Sequence, residues 1–469
     1  MVFNSYTFIA FFITILILHN LPFSWTIKKV NLLIASYIFY AAWNPPFILL
    51  LWFSTLVDYL VGRALYYQEN TQKRRILLVI SLIGNLGMLC FFKYGTFLLE
   101  NFVLISHGLG IDFQPAKPNI ILPAGISFYT FTTLCYTIDM YKRESKPVQS
   151  LVDFSLFVTF FPHLVAGPIV RPPQLVPQFE NPRSATEQQL LQGLFLVSLG
   201  LFMKVVMADT LLATSADAVF TFKKSLLALD AWIGVLAFSG QIFFDFAGYS
   251  TCAIGVALCL GFVLPENFKY PYAATGFTDF WRRWHITLSS WLRDYLYIPL
   301  GGNRKGELRT YVNLMITMLL GGLWHGASWT FVAWGALHGL YLCIEKVIRD
   351  KTKLSGILPP FLVAMLTFFL VNVTWVFFRS PDFITAERLL VSMFGMADKG
   401  AAILPTIDMI KVMLVVFLTV TAHWIMRDTS ILNLSQKMSW RGMGLGWAAL
   451  LILLIISQKS SDSFIYFQF

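Results

Sequence analysis

The chain has 469 residues, of which 57% are hydrophobic, 16% aromatic and 13% charged, with a formal net charge of +10. A soluble protein of this size carries about a quarter charged residues, so the composition excludes a soluble enzyme or binding domain and describes an all-α, polytopic membrane protein. The positive balance does not point to nucleic acid, because Lys and Arg sit in short loops between apolar runs, the distribution that sets membrane topology.

The N-terminus, M-V-F-N-S-Y-T-F-I-A-F-F, lacks the basic start and small-residue cleavage site of a secretory signal, so residues 5–22 read as a retained first span. Further spans are predicted at 30–43, 46–66, 76–105, 120–140, 151–170, 188–208, 230–262, 311–330, 331–348, 360–379, 407–426 and 443–458. The shorter ones, and 151–170 with its internal prolines, read as tilted or re-entrant, which makes roughly 11–13 transmembrane or re-entrant helices. Residues 171–187 (R-P-P-Q-L-V-P-Q-F-E-N-P-R at their start) read as a Pro-rich polar loop. There is no internal repeat, and residues 1–469 read as a single integral-membrane domain. Cys90, Cys135, Cys252, Cys259 and Cys343 stand singly in apolar sequence and read as packing residues. The clusters Lys28/Lys29, Lys73/Arg74/Arg75, Lys142/Arg143/Lys146, Arg304/Lys305/Arg309, Lys346/Arg349/Lys351/Lys353 and Arg427/Lys437/Arg441 can all face one side, the cytoplasm. Both termini then lie outside, and residues 311–348 make an outward-and-back hairpin with His325 near its far end.

The region 260–310 breaks the spanning pattern. On a helical wheel from Trp281 to Ile298, Trp281, Trp284, Leu288, Trp291, Leu292 and Tyr295 share one face. Arg282, Ser289 and Arg293 lie on another, with His285 at the border. Tryptophan opposite arginine describes a helix lying in the interface plane, since an ordinary span would bury Arg282, Arg283, Arg293 and Asp294 in hydrocarbon.

Ionisable residues in apolar sequence are costly and so are candidate sites. His325 lies in L-L-G-G-L-W-H-G-A-S-W, where Gly321, Gly322 and Gly326 remove side chains, so that a substrate tunnel could reach the ring. A neutral imidazole there can take a proton from a hydroxyl as that oxygen attacks an acyl carbon; the alternative is a histidine hydrogen-bonded inside a bundle. His285, with Arg282 one turn before and Ser289 one turn after, is either a second acid–base group that orients an acyl donor or an interfacial anchor. Arg282, Arg283, Arg293, Arg304 and Lys305 could hold the phosphates of a cytoplasmic anionic donor, or serve as topology and headgroup contacts. Asp245 in F-F-D-F-A-G-Y needs a buried partner, an arginine or Tyr249, and reads as structural. His163 in F-F-P-H-L-V-A-G-P sits where prolines break a helix and can line a cavity, while His338 and His423 read as packing or interfacial residues. No phosphate-binding loop, dinucleotide fingerprint, H-E-x-x-H metal motif or G-x-S-x-G elbow occurs, so no metal site is assigned.

Six segments in order resemble one family. They are F-P-H-L-V-A-G-P-I-V-R, F-D-F-A-G-Y-S, L-P-E-N-F-K-Y-P-Y, F-W-R-R-W-H-I-T-L-S-S-W-L-R-D-Y-L-Y-I-P-L-G-G-N-R, G-G-L-W-H-G-A-S-W and the terminal F-I-Y-F-Q-F. Together they resemble the membrane-bound O-acyltransferases, most closely the bacterial AlgI-like branch that serves alginate O-acetylation and more distantly the teichoic acid D-alanylation proteins. The resemblance is densest over about 160–340. It implies that His325 is the invariant catalytic base and that His285 is the second family position. It also implies helices around a central tunnel, with no permanently bound cofactor. Acetyl-CoA is the implied donor substrate, and acetyl passes across the bacterial inner membrane toward an exopolysaccharide such as alginate or cellulose, directly or through a periplasmic SGNH-type acetyltransferase. Two other readings stay open: a transporter or polymer-export component with a buried His/Asp/Arg path, and a scaffold that recruits a periplasmic enzyme.

Overall fold

The computed structural model describes residues 1–116, 118–351 and 357–457. Lys353 of the basic clusters and the terminal F-I-Y-F-Q-F lie outside the described residues. Among those residues the protein is helical, with a lone bridge between Leu226 and Ala401. The chain folds as two compact units: Met1–Leu190 with Val256–Pro265, and Leu191–Gly255 with the chain from Glu266 onward.

The first unit holds α1 (Tyr6–Asn20), α2 (Trp25–Ala41), α3 (Ile48–Tyr67), α4 (Thr71–Leu89), α5 (Gly95–Gly108), α6 (Ile126–Lys142), α7 (Leu151–Thr159) and α8 (Pro172–Glu180). Most of α9 (Glu187–Leu201) and α11 (Ala228–Cys259) belongs to the second unit. That unit also contains α10 (Thr214–Thr221), α12 (Phe277–Arg283), α13 (Ile286–Leu292), α14 (Glu307–His325), α15 (Trp329–Lys351), α16 (Pro360–Arg379), α17 (Phe383–Met393), α18 (Thr406–Met426), α19 (Ile431–Lys437) and α20 (Trp440–Ile456). Seven helical stretches among the described residues are long and apolar enough to cross a membrane: 45–67, 71–108, 187–221, 228–259, 329–351, 360–379 and 406–426. The protein is therefore a multi-pass membrane protein.

These seven fall on the predicted spans 46–66, 76–105, 188–208, 230–262, 331–348, 360–379 and 407–426. The helices at the other six predicted spans are too short or not apolar enough to be among them. The differences in bounds have local causes. Stretches 71–108 and 187–221 run on through π-helical turns at Cys90–Tyr94 and Phe202–Ala213, so the second is longer than the predicted 188–208. The supposed polar loop after Arg171 contains α8. Pro172 and Pro173 occupy its first turn, where a missing N–H costs nothing, Pro177 stands inside it, and Gln174 Oε1 accepts the Arg171 N–H at 2.9 Å. Conversely, helix in 151–170 stops at Thr159, and the chain turns through His163. Helix α17 was not anticipated; Asp382 starts it by accepting the Thr385 N–H at 2.7 Å.

The first unit is tied by buried polar contacts. Asp58 on α3 accepts hydrogen bonds from Ser81 and, at 2.7 and 3.0 Å, from Asn85 and Thr137. In the second unit, close helix contacts rely on glycine. A Cβ at Gly200 would lie 2.5 Å from the Gly248 carbonyl oxygen, and one at Gly255 would lie 2.6 Å from that of Gly193, so α9 and α11 meet backbone to backbone. Helices α14 and α15 form the expected hairpin on the same principle: Cβ atoms at Gly322 and Gly335 would each come within 2.3 Å of a carbonyl oxygen on the other helix.

Candidate active site

The hairpin delivers His325 to the last residue of α14, beside the turn at 326–328. The three glycines around it do not open a tunnel, as their spacing suggested; protein atoms occupy the space they leave. Gly322 abuts the Phe331 carbonyl, Gly326 lies against the Phe331 ring, and Gly321 faces Leu292 at 3.2 Å. His325 is 3% exposed. Its ring is walled by Trp324 and Trp334, each with its centroid 5.0 Å away, and by Phe378 at 5.3 Å.

His285 arrives from a different direction. The single helix predicted from Trp281 to Ile298 is two short helices, α12 and α13, followed by a π-helical turn at Arg293–Tyr297. The helix breaks because other partners claim its backbone. Lys269 N donates to Arg283 O and Ile286 N donates to Asn267 O, both at 2.9 Å, so an extended segment replaces the helical bonds. His285 takes a left-handed conformation, φ +43°, uncommon for a residue with a Cβ and sustained only where neighbours over-determine it. The tryptophan-bearing face turns into protein: Trp284 is buried with Phe268 and Trp375 at 5.1 Å and Phe280 at 5.7 Å. Arg282 and Arg293 stay exposed, as that face requires.

The two histidine rings lie 6.4 Å apart, with Trp324 beside both. Phe246 meets the His285 ring edge-on at 4.7 Å. His285 is fully buried and lies outside the spanning helices, and burial lowers its pKa to about 3, which keeps the imidazole neutral. Among the aromatic residues around this pair, the indole N–H groups of the buried Trp284 and Trp334 have no hydrogen-bond partner in the protein. An orphaned buried donor costs about 1–3 kcal/mol, and such a cost marks a place where a bound carbonyl or water can accept.

The basic candidates separate by environment. Arg283 is committed to structure: its Nε meets Asp279 at 2.9 Å and its Nη1 donates to Arg427 O at 2.8 Å. Arg293 pairs with Asp294 at 2.6 Å. Arg282, Arg304 and Lys305 are exposed.

Asp245 finds a lysine. Lys204 sits 2.5 Å from it and 2.9 Å from Asp209, all within the second unit, and this is structural charge compensation. His163 is buried in the first unit, where a Cβ on Gly167 would come 2.4 Å from its Cα and the Phe160 ring is 6.1 Å away. His338 and His423 pack: the first hydrogen-bonds Thr374 at 3.0 Å, and the second accepts the Tyr272 N–H at 3.2 Å. Sequence reasoning missed Asn267, whose Oδ1 lies 3.2 Å from His285 Nδ1, and the wall residues Trp334, Trp375 and Phe378. For Asn267 the signal was P-E-N-F, read above only as part of a family segment.

Comparison with known proteins identifies the family. The model of the MBOAT, membrane-bound O-acyltransferase family, matches residues 7–380, which include both histidines. A protein of Pseudomonas putida described as a probable alginate O-acetylase, AlgI, is 39% identical over 494 aligned residues covering 100% of both chains. A peptidoglycan O-acetyltransferase of Helicobacter pylori is 41% identical over 397 residues, 78% of this chain and 74% of the relative. A teichoic acid D-alanyltransferase of Streptococcus thermophilus is 29% identical over 286 residues, 56% of this chain and 68% of the relative.

Proposed function

This chain belongs to the membrane-bound O-acyltransferase family and is an acyltransferase, and on that footing we propose that it moves acetyl from cytoplasmic acetyl-CoA across the inner membrane for O-acetylation of an exopolysaccharide. The observation that carries the reading is the pair of buried imidazoles 6.4 Å apart inside an aromatic wall. His325 is the general base. As the accepting hydroxyl oxygen bonds to the acetyl carbonyl carbon, its proton passes to the His325 imidazole. The thioester C–S bond then breaks, and the departing thiolate takes up the proton as free thiol. His285 aligns the acceptor or serves as the second proton-transfer group. The Trp284 and Trp334 N–H groups supply donors for the charge that develops on the carbonyl oxygen, the kind of stabilisation worth most where water is excluded.

Arg282, Arg304 and Lys305 offer exposed cationic heads for the donor's phosphates, with Arg283 and Arg293 as their ion-paired neighbours. The acceptor is an alginate- or cellulose-like polymer, or a periplasmic SGNH-type acetyltransferase that relays the group. The distribution of basic loops supports a phosphate-binding side in the cytoplasm and both termini in the periplasm.

The test is thiol release from acetyl-CoA by the purified chain in lipid, with and without a periplasmic partner, comparing native protein with His325→Ala. Release that disappears in a folded variant supports acetyl transfer and its base. Release that persists in the variant removes His325 from the chemistry. A native protein that releases none with the partner present refutes the donor, and polymer export lost together with acetylation favours a transporter.

A further inference from the structure

We propose that Asn267 is a positioning residue that fixes the tautomer of His285 with its proton on Nδ1, so that His285 accepts at Nε2 and does not donate there. The inference rests on the acyltransferase reading of the site and decides between the two roles left to His285.

The amide oxygen and nitrogen of an asparagine are distinguished only by what surrounds them. At Asn267 the surroundings include a backbone N–H, that of Thr287, 3.2 Å from Oδ1. A backbone N–H only donates, so the atom facing it is the oxygen. The Thr287 hydroxyl donates to the same oxygen at 2.9 Å, and Asn267 Nδ2 is turned to Ser250 Oγ at 3.3 Å. His285 Nδ1 lies 3.2 Å from this oxygen. An oxygen with no hydrogen can only accept, so Nδ1 carries the proton. In a neutral imidazole the lone pair is then on Nε2, on the far side of the ring from Asn267.

The same residue holds the unusual backbone. Asn267 O accepts the Ile286 N–H at 2.9 Å while its side chain takes Thr287, so one residue holds the two positions that follow the left-handed turn at His285. Phe246 edge-on and Phe268 stacked at 6.5 Å confine the ring. Few charges act on it. His325 faces it from α14, Glu266 beside Asn267 is hydrogen-bonded by Ser430, and Asp245 on α11 is ion-paired with Lys204. Desolvation alone lowers the pKa of His285, so the neutral form persists through the working range and no imidazolium supplies a proton to the leaving thiolate. His285 is then an acceptor for a neighbouring hydroxyl of the acceptor substrate, because the single proton of the attacking hydroxyl goes to His325, and the proton inventory of the reaction stays with His325.

The experiment uses the full chain in lipid, with histidine ring nitrogens labelled and the His285 signals assigned by comparison with His285→Gln. The expected native spectrum has a protonated, pyrrole-type Nδ1 and an unprotonated, pyridine-type Nε2 from pH 5 to 9. In Asn267→Leu the two tautomers mix, and kcat falls at least tenfold with KM for the donor unchanged. In Asn267→Asp the oxygen acceptors remain, so the tautomer is retained. The added charge raises the His285 pKa, moving the acid limb of the rate profile up by one pH unit or more. A native Nε2–H tautomer overturns the proposal, as does an Asn267→Asp rate profile that superimposes on the native one. If the native protein transfers no acyl group at all while Nδ1 is protonated, the activity reading fails and the tautomer assignment stands.

Discussion

Two buried polar clusters, one in each unit, differ in how completely they satisfy themselves. Around Asp58, the side chains of Ser54, Ser81, Asn85, Thr133 and Thr137 share hydrogen bonds, and none of their polar atoms lacks a partner. Around His325 the wall is aromatic, and the indole N–H groups of Trp284 and Trp334 are left with none. The first pattern is what bundle stability requires, because each satisfied bond ties α3, α4 and α6 together. The second costs stability and returns it only when something binds. Burial of polar groups therefore does not by itself mark a site.

The comparison is broken most directly at its two centres. His325→Ala is expected to lower thiol release by about a thousandfold, within the range for loss of a positioned base, while the thermal midpoint in lipid stays near the native value. Asp58→Ala should do the reverse. Removing the shared acceptor strands several buried donors, at about 3 kcal/mol, which a denaturant or thermal series would read as lost stability. The rate per folded molecule should not change. If Asp58→Ala abolishes turnover in protein that remains folded, the division between a structural and a chemical cluster is wrong.

A smaller effect tests the unsatisfied donors. Trp334→Phe keeps an aromatic ring against His325 but deletes the N–H. We expect kcat to fall about tenfold, less than for a dedicated oxyanion donor, with KM for the donor little changed. Comparable losses in kcat and stability would mean that Trp334 is only packing.

The contrast also explains what could be read in advance. The α14–α15 hairpin was legible because its determinants are local: an apolar run, small residues where the helices touch, and a histidine at the turn. The left-handed break at His285 was not, because the partners that overrule the helix lie elsewhere in the chain; Asn267 is 18 residues away. A helical wheel assumes that each N–H finds its own i−4 carbonyl, and at Ile286 that assumption fails. Lys204 as the partner of Asp245 was hidden for the same reason, since charge compensation is set by packing rather than by spacing. Glycines were read as empty space when they mark the closest contacts. In α8 a loop-like composition concealed a helix that opens on Pro172 and Pro173, where helices tolerate proline.

The smallest effects should separate the basic residues that the sequence left in one group. Arg282, Arg304 and Lys305 are exposed, so neutralising any one removes a screened charge and should raise KM for an anionic donor about threefold with kcat held. The effect should shrink as salt is raised, because exposed charges act through water. Arg283 belongs to another class. Its guanidinium spans Asp279 and the Arg427 carbonyl, so Arg283→Gln leaves a half-buried carboxylate with only the more distant Arg427, 4.0 Å away, as its cation and should reduce stability at any ionic strength. A salt titration of KM across the four single variants therefore sorts them. Three salt-dependent curves and one salt-independent loss are expected. If Arg283 instead falls with the salt-dependent three, its charge faces the donor and not the fold.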